Sequence, residues 1–209
     1  MPRKNHDLHG NAPDSSPVAV VLVDVINDLE FPGGEALLPH ALAAADKIAS
    51  LRRSAKRLGV PVVYANDNFG RWRSDFREVV EHVRGDGVRG APLAELLAPG
   101  REDYFVLKPK HSAFYATTLD TLLEYLGATR LVLAGFTTDI CVQFTAHDAY
   151  MRDFELHVPA DCVAAETAEQ SEEALAYMRR VLDASVEPST ALDLAALRRP
   201  AGCGEGDDA

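Results

Sequence analysis

Cations are scarce in this chain of 209 residues: 21 Lys and Arg stand against 32 Asp and Glu, a net charge of −11. With no excess of cations to displace phosphate counterions, the balance argues against a nucleic-acid partner. Cysteine is scarce too. Cys141, Cys162 and Cys203 are an odd number without metal-ligand spacing, so neither a disulfide framework nor a zinc site is expected. The thiols fit a reducing compartment. No apolar run approaches the roughly 20 residues that span a bilayer. The opening MPRKNHDLHGNAPDSS has no apolar stretch and reads as no secretory signal. A cytoplasmic protein without a membrane partner is the expectation. No Gly-rich phosphate motif follows the first strand, which weakens a dinucleotide-binding reading. Trp72 is the one tryptophan.

What is present is an ordinary globular composition, 47% hydrophobic and 25% charged. The length suits one α/β domain, placed at 17–197, with polar tails at 1–16 and 198–209 expected to be disordered. Val18 to Val23, VAVVLV, is a continuous β-branched run, the signature of a parallel strand covered on both faces. A helix over 35–58 follows, with Leu38, Ala41, Leu42, Ala45, Ile48 and Ala49 on one face. Further strands are expected at 60–65, 104–107, 131–134 and 154–158, and a short sixth at Ser185-Val186. Helices are expected at 75–83, 92–98, 118–126, 138–151 and 168–182. Gly135 is expected to break the fourth strand. Strands alternating with helices specify a three-layer, Rossmann-like domain: a six-stranded, mostly parallel sheet flanked by helices.

Chemistry-bearing residues fall at strand ends. Asp24 follows the first strand, Asn66-Asp67-Asn68 the second, Lys108 the third. Cys141 lies in the first turn of the helix after the fourth. The carboxyl ends of a parallel sheet meet at one edge, where open α/β folds place ligands. A helix N-terminus favours thiolate over thiol at Cys141. The same residue also reads as a small buried hydrophobe, and Asp24 as a turn or capping carboxylate. Together, Cys141, Asp24 and Lys108 form a workable nucleophile set: the carboxylate takes the thiol proton, and the ammonium holds the carboxylate. His147 reads as a packing residue because six residues from Cys141 puts it on another helix face. Asp139 reads as a carboxylate favoured by the helix dipole.

The motifs VLVDVINDL, VLKPKHSAFYATTL and LVLAGFTTDICVQFTAHDAYMRDFELHVPADC, in this order within Val18–Ala165, resemble the isochorismatase-like cysteine hydrolases. That superfamily includes nicotinamidases, N-carbamoylsarcosine amidohydrolase and ureidoacrylate hydrolases. The resemblance implies an amidohydrolase acting on a carbon–nitrogen bond other than a peptide bond, in an amide, ureide or lactam, through an acyl-thioester. Asp24 would be the general base and Cys141 the nucleophile. Lys108 would polarise Asp24, its spacing to Ser-Ala-Phe preferring it over Lys110. A cis peptide is implied at Phe136–Thr137, with oxyanion donors on Cys141 and on Thr137 or Ile140. Nicotinamidases of the superfamily bind a metal through an Asp-x-His pair and a further His. Asn66-Asp67-Asn68-Phe69 lacks that His and His82 stands alone, so no metal and no cofactor are expected. Isochorismatases cleave a vinyl ether with the Asp alone; that activity, or a non-catalytic binding or thiol-sensor protein on the same scaffold, is the alternative. Pocket walls are expected from Leu29, Asn66, Trp72, His111 and Phe114, on loops where substrate contacts concentrate. The substrate is expected to be a small amide. The resemblance further implies a homo-oligomer, dimer or tetramer.

Overall fold

The computed structural model describes residues 14–70, 75–85 and 87–199. The described elements run in order: β1 (Val18–Val23), α1 (Gly34–Arg57), β2 (Val62–Asp67), α2 (Phe76–Gly85), α3 (Ala91–Leu97), β3 (Tyr104–Lys108), α4 (Leu119–Leu126) and β4 (Arg130–Phe136). A π-helical turn (Thr138–Val142) leads into α5 (Gln143–Tyr150). Then come β5 (Glu155–His157), a 3-10 turn (Ala160–Cys162), β6 (Val163–Ala164), α6 (Ala168–Val181) and α7 (Leu194–Leu197). The strand order is β3-β2-β1-β4-β5, with β6 also pairing β4. Every pairing between these strands is parallel.

The sheet is parallel because its strands can be buried on both faces. All six residues of β1 are buried. One apolar cluster lies between the sheet and α1, α2 and α3. The other lies between the sheet and α4, α5 and α6. Side chains alternate between the two: Val18, Val20 and Leu22 face the first, Ala19, Val21 and Val23 the second. Residue Tyr64 of β2 is fully buried, and its hydroxyl donates to the Leu97 carbonyl at 2.7 Å, fixing α3 on the sheet. In α1 the buried face includes Leu37 and Ala44, whereas Leu38 and Leu42 are only partly covered. The helix is thus turned by about one residue from the face that spacing picks out.

Two expectations about β4 and the sixth strand are corrected. Gly135 does not end β4. It sits inside the strand at φ 127°, paired with Val23 on one side and Val163 on the other. A Cβ at Gly135 would collide with the Val23 carbonyl, so the strands approach here only because the residue is glycine. The sixth strand is Val163–Ala164, which extends the pairing of β4 beyond β5; Ser185 makes only an isolated bridge to His157. The run preceding residue 17 also packs: the Ser16 N–H donates to the Leu126 carbonyl at 2.9 Å and Ser16 is buried. Residues 1–13 and 200–209 lie outside the described residues. Among the described residues no helix is long and apolar enough to cross a membrane.

Candidate active site

Register delivers the three reactive groups to one place. Val23 pairs with Ala65 and Gly135, and Asp67 pairs with Lys108. Asp24 therefore leaves β1 level with the end of β2, while Lys108 closes β3 and Cys141 follows β4. Asp24 turns out of the strand at φ 51°, a left-handed conformation that Asp tolerates better than bulkier residues. Its N–H still donates to the Ala65 carbonyl at 2.9 Å. Its Oδ1 accepts from the Asp67 N–H at 2.7 Å, and its Oδ2 lies 2.7 Å from Lys108 Nζ.

Lys108 is wholly buried. Its ammonium donates to the Lys110 carbonyl at 3.2 Å and lies 3.5 Å from Cys141 Sγ. A second carboxylate, Asp67, stands 3.8 Å away. Burial alone would pull this lysine down. The charge of Asp24 and its hydrogen bond, with Asp67 further off, outweigh it and hold the ammonium above its ordinary value. Burial pushes the Asp24 carboxyl up, opposed by the Lys108 ammonium and by its hydrogen bonds.

Cys141 sits on the π-helical turn, a local widening often found at functional positions. The helix-terminus argument expects a thiolate there. The surroundings reverse it: burial, then the nearby Asp24 carboxylate, push the thiol well above its ordinary value, and Lys108 offsets only part of this. Both causes favour the thiol over the thiolate at Cys141. His111 Nδ1 lies 3.9 Å from Sγ, and the His111 ring packs on Phe144 at 5.4 Å.

Thr145 ties these parts together. Fully buried, its hydroxyl donates to the Cys141 carbonyl at 2.7 Å and accepts the Ala113 N–H at 3.0 Å. Ser112, in the same loop as Ala113, donates to the Asp148 carboxylate on α5. The loop after Lys108 is thereby bound to the helix that carries the thiol.

A cavity of about 350 Å³ opens above Cys141. Asp24, Asp67, His111, Thr137 and Cys141 contribute its polar lining, and Leu29, Phe31, Leu37, Phe69 and Phe136 its apolar walls. Leu29, at φ 57°, is held by an Asx turn from Asn27 and by Arg89, whose guanidinium donates to the Leu29 carbonyl. A larger cavity, about 590 Å³, lies at the opposite, amino end of the sheet. Its Asp103 is already paired with Lys56 at 2.8 Å and Arg52 at 3.4 Å.

The expected pocket residues divide. Leu29 and His111 line the cavity. Asn66 does not: it is buried, and its amide donates to the Ile26 carbonyl at 2.7 Å, because alternation along β2 turns it inward and Asp67 outward. Phe114 also packs away from the cavity, against Phe154 and beneath the Arg152 guanidinium. Trp72 lies outside the described residues. Asp67 and Phe69 were marked only as part of the Asn66-Asp67-Asn68-Phe69 run, and Phe31, Leu37 and Thr145 were not singled out by the sequence reading. The peptide Phe136–Thr137 is cis. The Ile140 N–H is engaged with the Thr137 carbonyl at 3.3 Å. His147 is held by the Gln143 carbonyl and Tyr177, away from the thiol. Among the described residues no group of three or more His, Cys, Asp or Glu is arranged to hold a metal ion.

Known proteins share this fold. The isochorismatase domain family matches residues 18–190. The isochorismatase family protein YaaI of Bacillus subtilis is 39% identical over 168 residues, 80% of this chain and 92% of YaaI. Maleamate amidohydrolase of Pseudomonas putida is 32% identical over 156 residues, 69% of this chain and 71% of the relative. Among solved structures, N-carbamoylsarcosine amidase from Thermoplasma acidophilum superposes with a TM-score of 0.65 at 29% identity, covering 84% of this chain and 98% of the other. Nicotinamidase PncA from Bacillus subtilis gives 0.64 at 29% identity, covering 82% and 99%. With most of its length matched and its strand-end residues in one site, the chain belongs to the isochorismatase family.

Proposed function

We propose that this protein is a cysteine-dependent hydrolase of a small, non-peptide carbon–nitrogen bond, working through an acyl-thioester with Asp24, Lys108 and Cys141 as its triad. One observation carries the reading. A buried lysine holds Asp24 at 2.7 Å and stands 3.5 Å from the Cys141 sulfur, at the floor of a small cavity. Amidase names among the relatives support it.

The chemistry follows from the protonation states. Because the thiol rests protonated, attack requires a base at the moment of bond formation. Asp24 takes the thiol proton as Sγ bonds to the carbonyl carbon. Lys108 keeps its charge throughout and limits the cost of moving that proton. The oxyanion is received by the N–H groups of Cys141 and Thr137. With the Ile140 N–H engaged in the turn, Thr137 is the better second donor. One such donor is worth about 3 kcal/mol of transition-state stabilisation. Asp24 then returns the proton to the nitrogen, the amine or ammonia leaves, and a thioester remains. Water, deprotonated by Asp24, hydrolyses the thioester and restores the thiol.

The test is a screen for ammonia or amine release from small amides, ureides and lactams, with C141A and D24N as controls. Both variants are expected to lose turnover by at least about 10³-fold while keeping the wild-type circular dichroism spectrum. Full turnover in C141A with none in D24N would replace thioester chemistry by a reaction centred on the carboxylate alone.

A further inference from the structure

We infer that the site selects amides whose far end is uncharged or cationic and turns away anionic ones, with Asp67 as the selecting group. The inference rests on the amidase reading above and adds the substrate class to it.

The argument is a count of charge. Lys108 faces two carboxylates, Asp24 at 2.7 Å and Asp67 at 3.8 Å. With the thiol protonated, these groups sum to one negative charge. The lysine cannot serve a substrate anion, because it is wholly buried and already matched. Among the described lining residues no Lys or Arg appears, and the larger part of the wall is Leu29, Phe31, Leu37, Phe69 and Phe136. His111 lies close to the sulfur, 3.9 Å from it. Asp67 is the more exposed of the two carboxylates that line the cavity, its side chain 35% exposed against 5% for Asp24. Its Oδ1 accepts the Phe69 N–H at 2.6 Å, which fixes the carboxylate in place.

A cavity of this volume is roughly 9 Å across. A substrate carboxylate anywhere inside therefore sits within that distance of Asp67, and among the described lining residues it meets no Lys or Arg. At this separation and an effective dielectric of about 20, like charge costs about 20-fold in occupancy. A neutral end loses nothing, and an apolar one gains contact with the walls.

The experiment uses matched probes in two arms. The first compares kcat/KM for butyramide, succinamate and 4-aminobutyramide, which share a chain length and differ in terminal charge. The second needs no turnover. It measures labelling of Cys141 by methyl, sulfonatoethyl and aminoethyl methanethiosulfonate, each rate divided by that for free cysteine, with C141A to subtract the other thiols. In both arms the neutral and cationic probes are expected to exceed the anionic one by about 10-fold or more. D67N, which keeps an oxygen for the Phe69 N–H, is expected to close most of that gap.

Equal rates for the three reagents, or a preference for succinamate, would overturn the inference. So would an anionic preference abolished by R71A or R73A, residues that follow Gly70 and lie outside those described. Charge-ranked labelling without release of ammonia or amine from any compound would sink the amidase reading and leave charge selection standing. Ammonia release with charge-blind labelling would do the reverse.

Discussion

Replacing Lys108 by methionine isolates what the buried ammonium contributes. The two side chains have similar length, so packing is nearly kept while the charge goes. Asp24, 5% exposed at its side chain, would keep only the Asp67 N–H and the thiol as partners. Breaking a buried pair by removing one member typically costs about 3–5 kcal/mol, a third or more of an ordinary domain's stability. For a chain of this size that is a fall in Tm on the order of 10 °C. The pH dependence gives the sharper test. Burial already raises the folded-state Asp24 carboxyl, and without Lys108 it rises further above the unfolded value of about 3.9. A carboxyl raised on folding destabilises above its unfolded pKa, and the loss grows until the folded pKa is passed. The deficit of K108M relative to wild type is therefore small near pH 4 and full near pH 8. In wild type burial gives Asp24 the same sign, and the Lys108 ammonium keeps the rise smaller. Urea unfolding of both proteins at the two pH values measures this directly. A deficit that is flat with pH, or below about 1 kcal/mol at pH 8, would refute the assignment of Lys108 as the charge that holds Asp24 ionised.

Two further outcomes follow from the packing around the site. T145V leaves the buried Ala113 N–H without its acceptor, at a cost of about 1–3 kcal/mol, and frees the Lys108 loop from the thiol helix. Urea midpoint and kcat should both fall, and T145S should restore both; unchanged kcat in T145V would show that the bridge is not needed for alignment. G135A forces a Cβ toward the Val23 carbonyl at a φ that L-residues rarely adopt, about 1–3 kcal/mol from the backbone alone. A strong loss of soluble yield or a lowered urea midpoint is expected, and a wild-type midpoint would mean that β1 and β4 can separate at no cost.

The sheet was legible because burial on both faces leaves a mark in sequence. VAVVLV can be little else, and Asp24 and the Cys141 turn each follow such a run, while Lys108 ends the partly exposed edge strand β3. The limits have physical causes. Gly135 looks like punctuation, yet it continues a strand, because its missing side chain is what lets the Val23 carbonyl approach. Val163–Ala164 is two residues long, too short for any periodicity. Asn66 and Asp67 are adjacent, so a shift of one residue in the strand decides which faces the cavity. That phase is set by pairing with β1 and β3, not by local composition. The surroundings of Cys141 were hidden for a related reason. A helix end is visible in sequence, whereas the burial and the facing carboxylate that outweigh it exist only after folding.

The strands that deliver Asp24, Lys108 and Cys141 end where the recognition segments begin. Leu29 and Phe31 sit in one connection, Phe69 in a second and His111 in a third, each downstream of a different buried strand. Changes at Leu29, Phe31 or Phe69 fall outside the strands and their register, whereas the His111 connection is tied to the Cys141 helix through Thr145. On the proposed reading, recognition at Leu29, Phe31 and Phe69 could drift while the strands that place Asp24, Lys108 and Cys141 stay as they are.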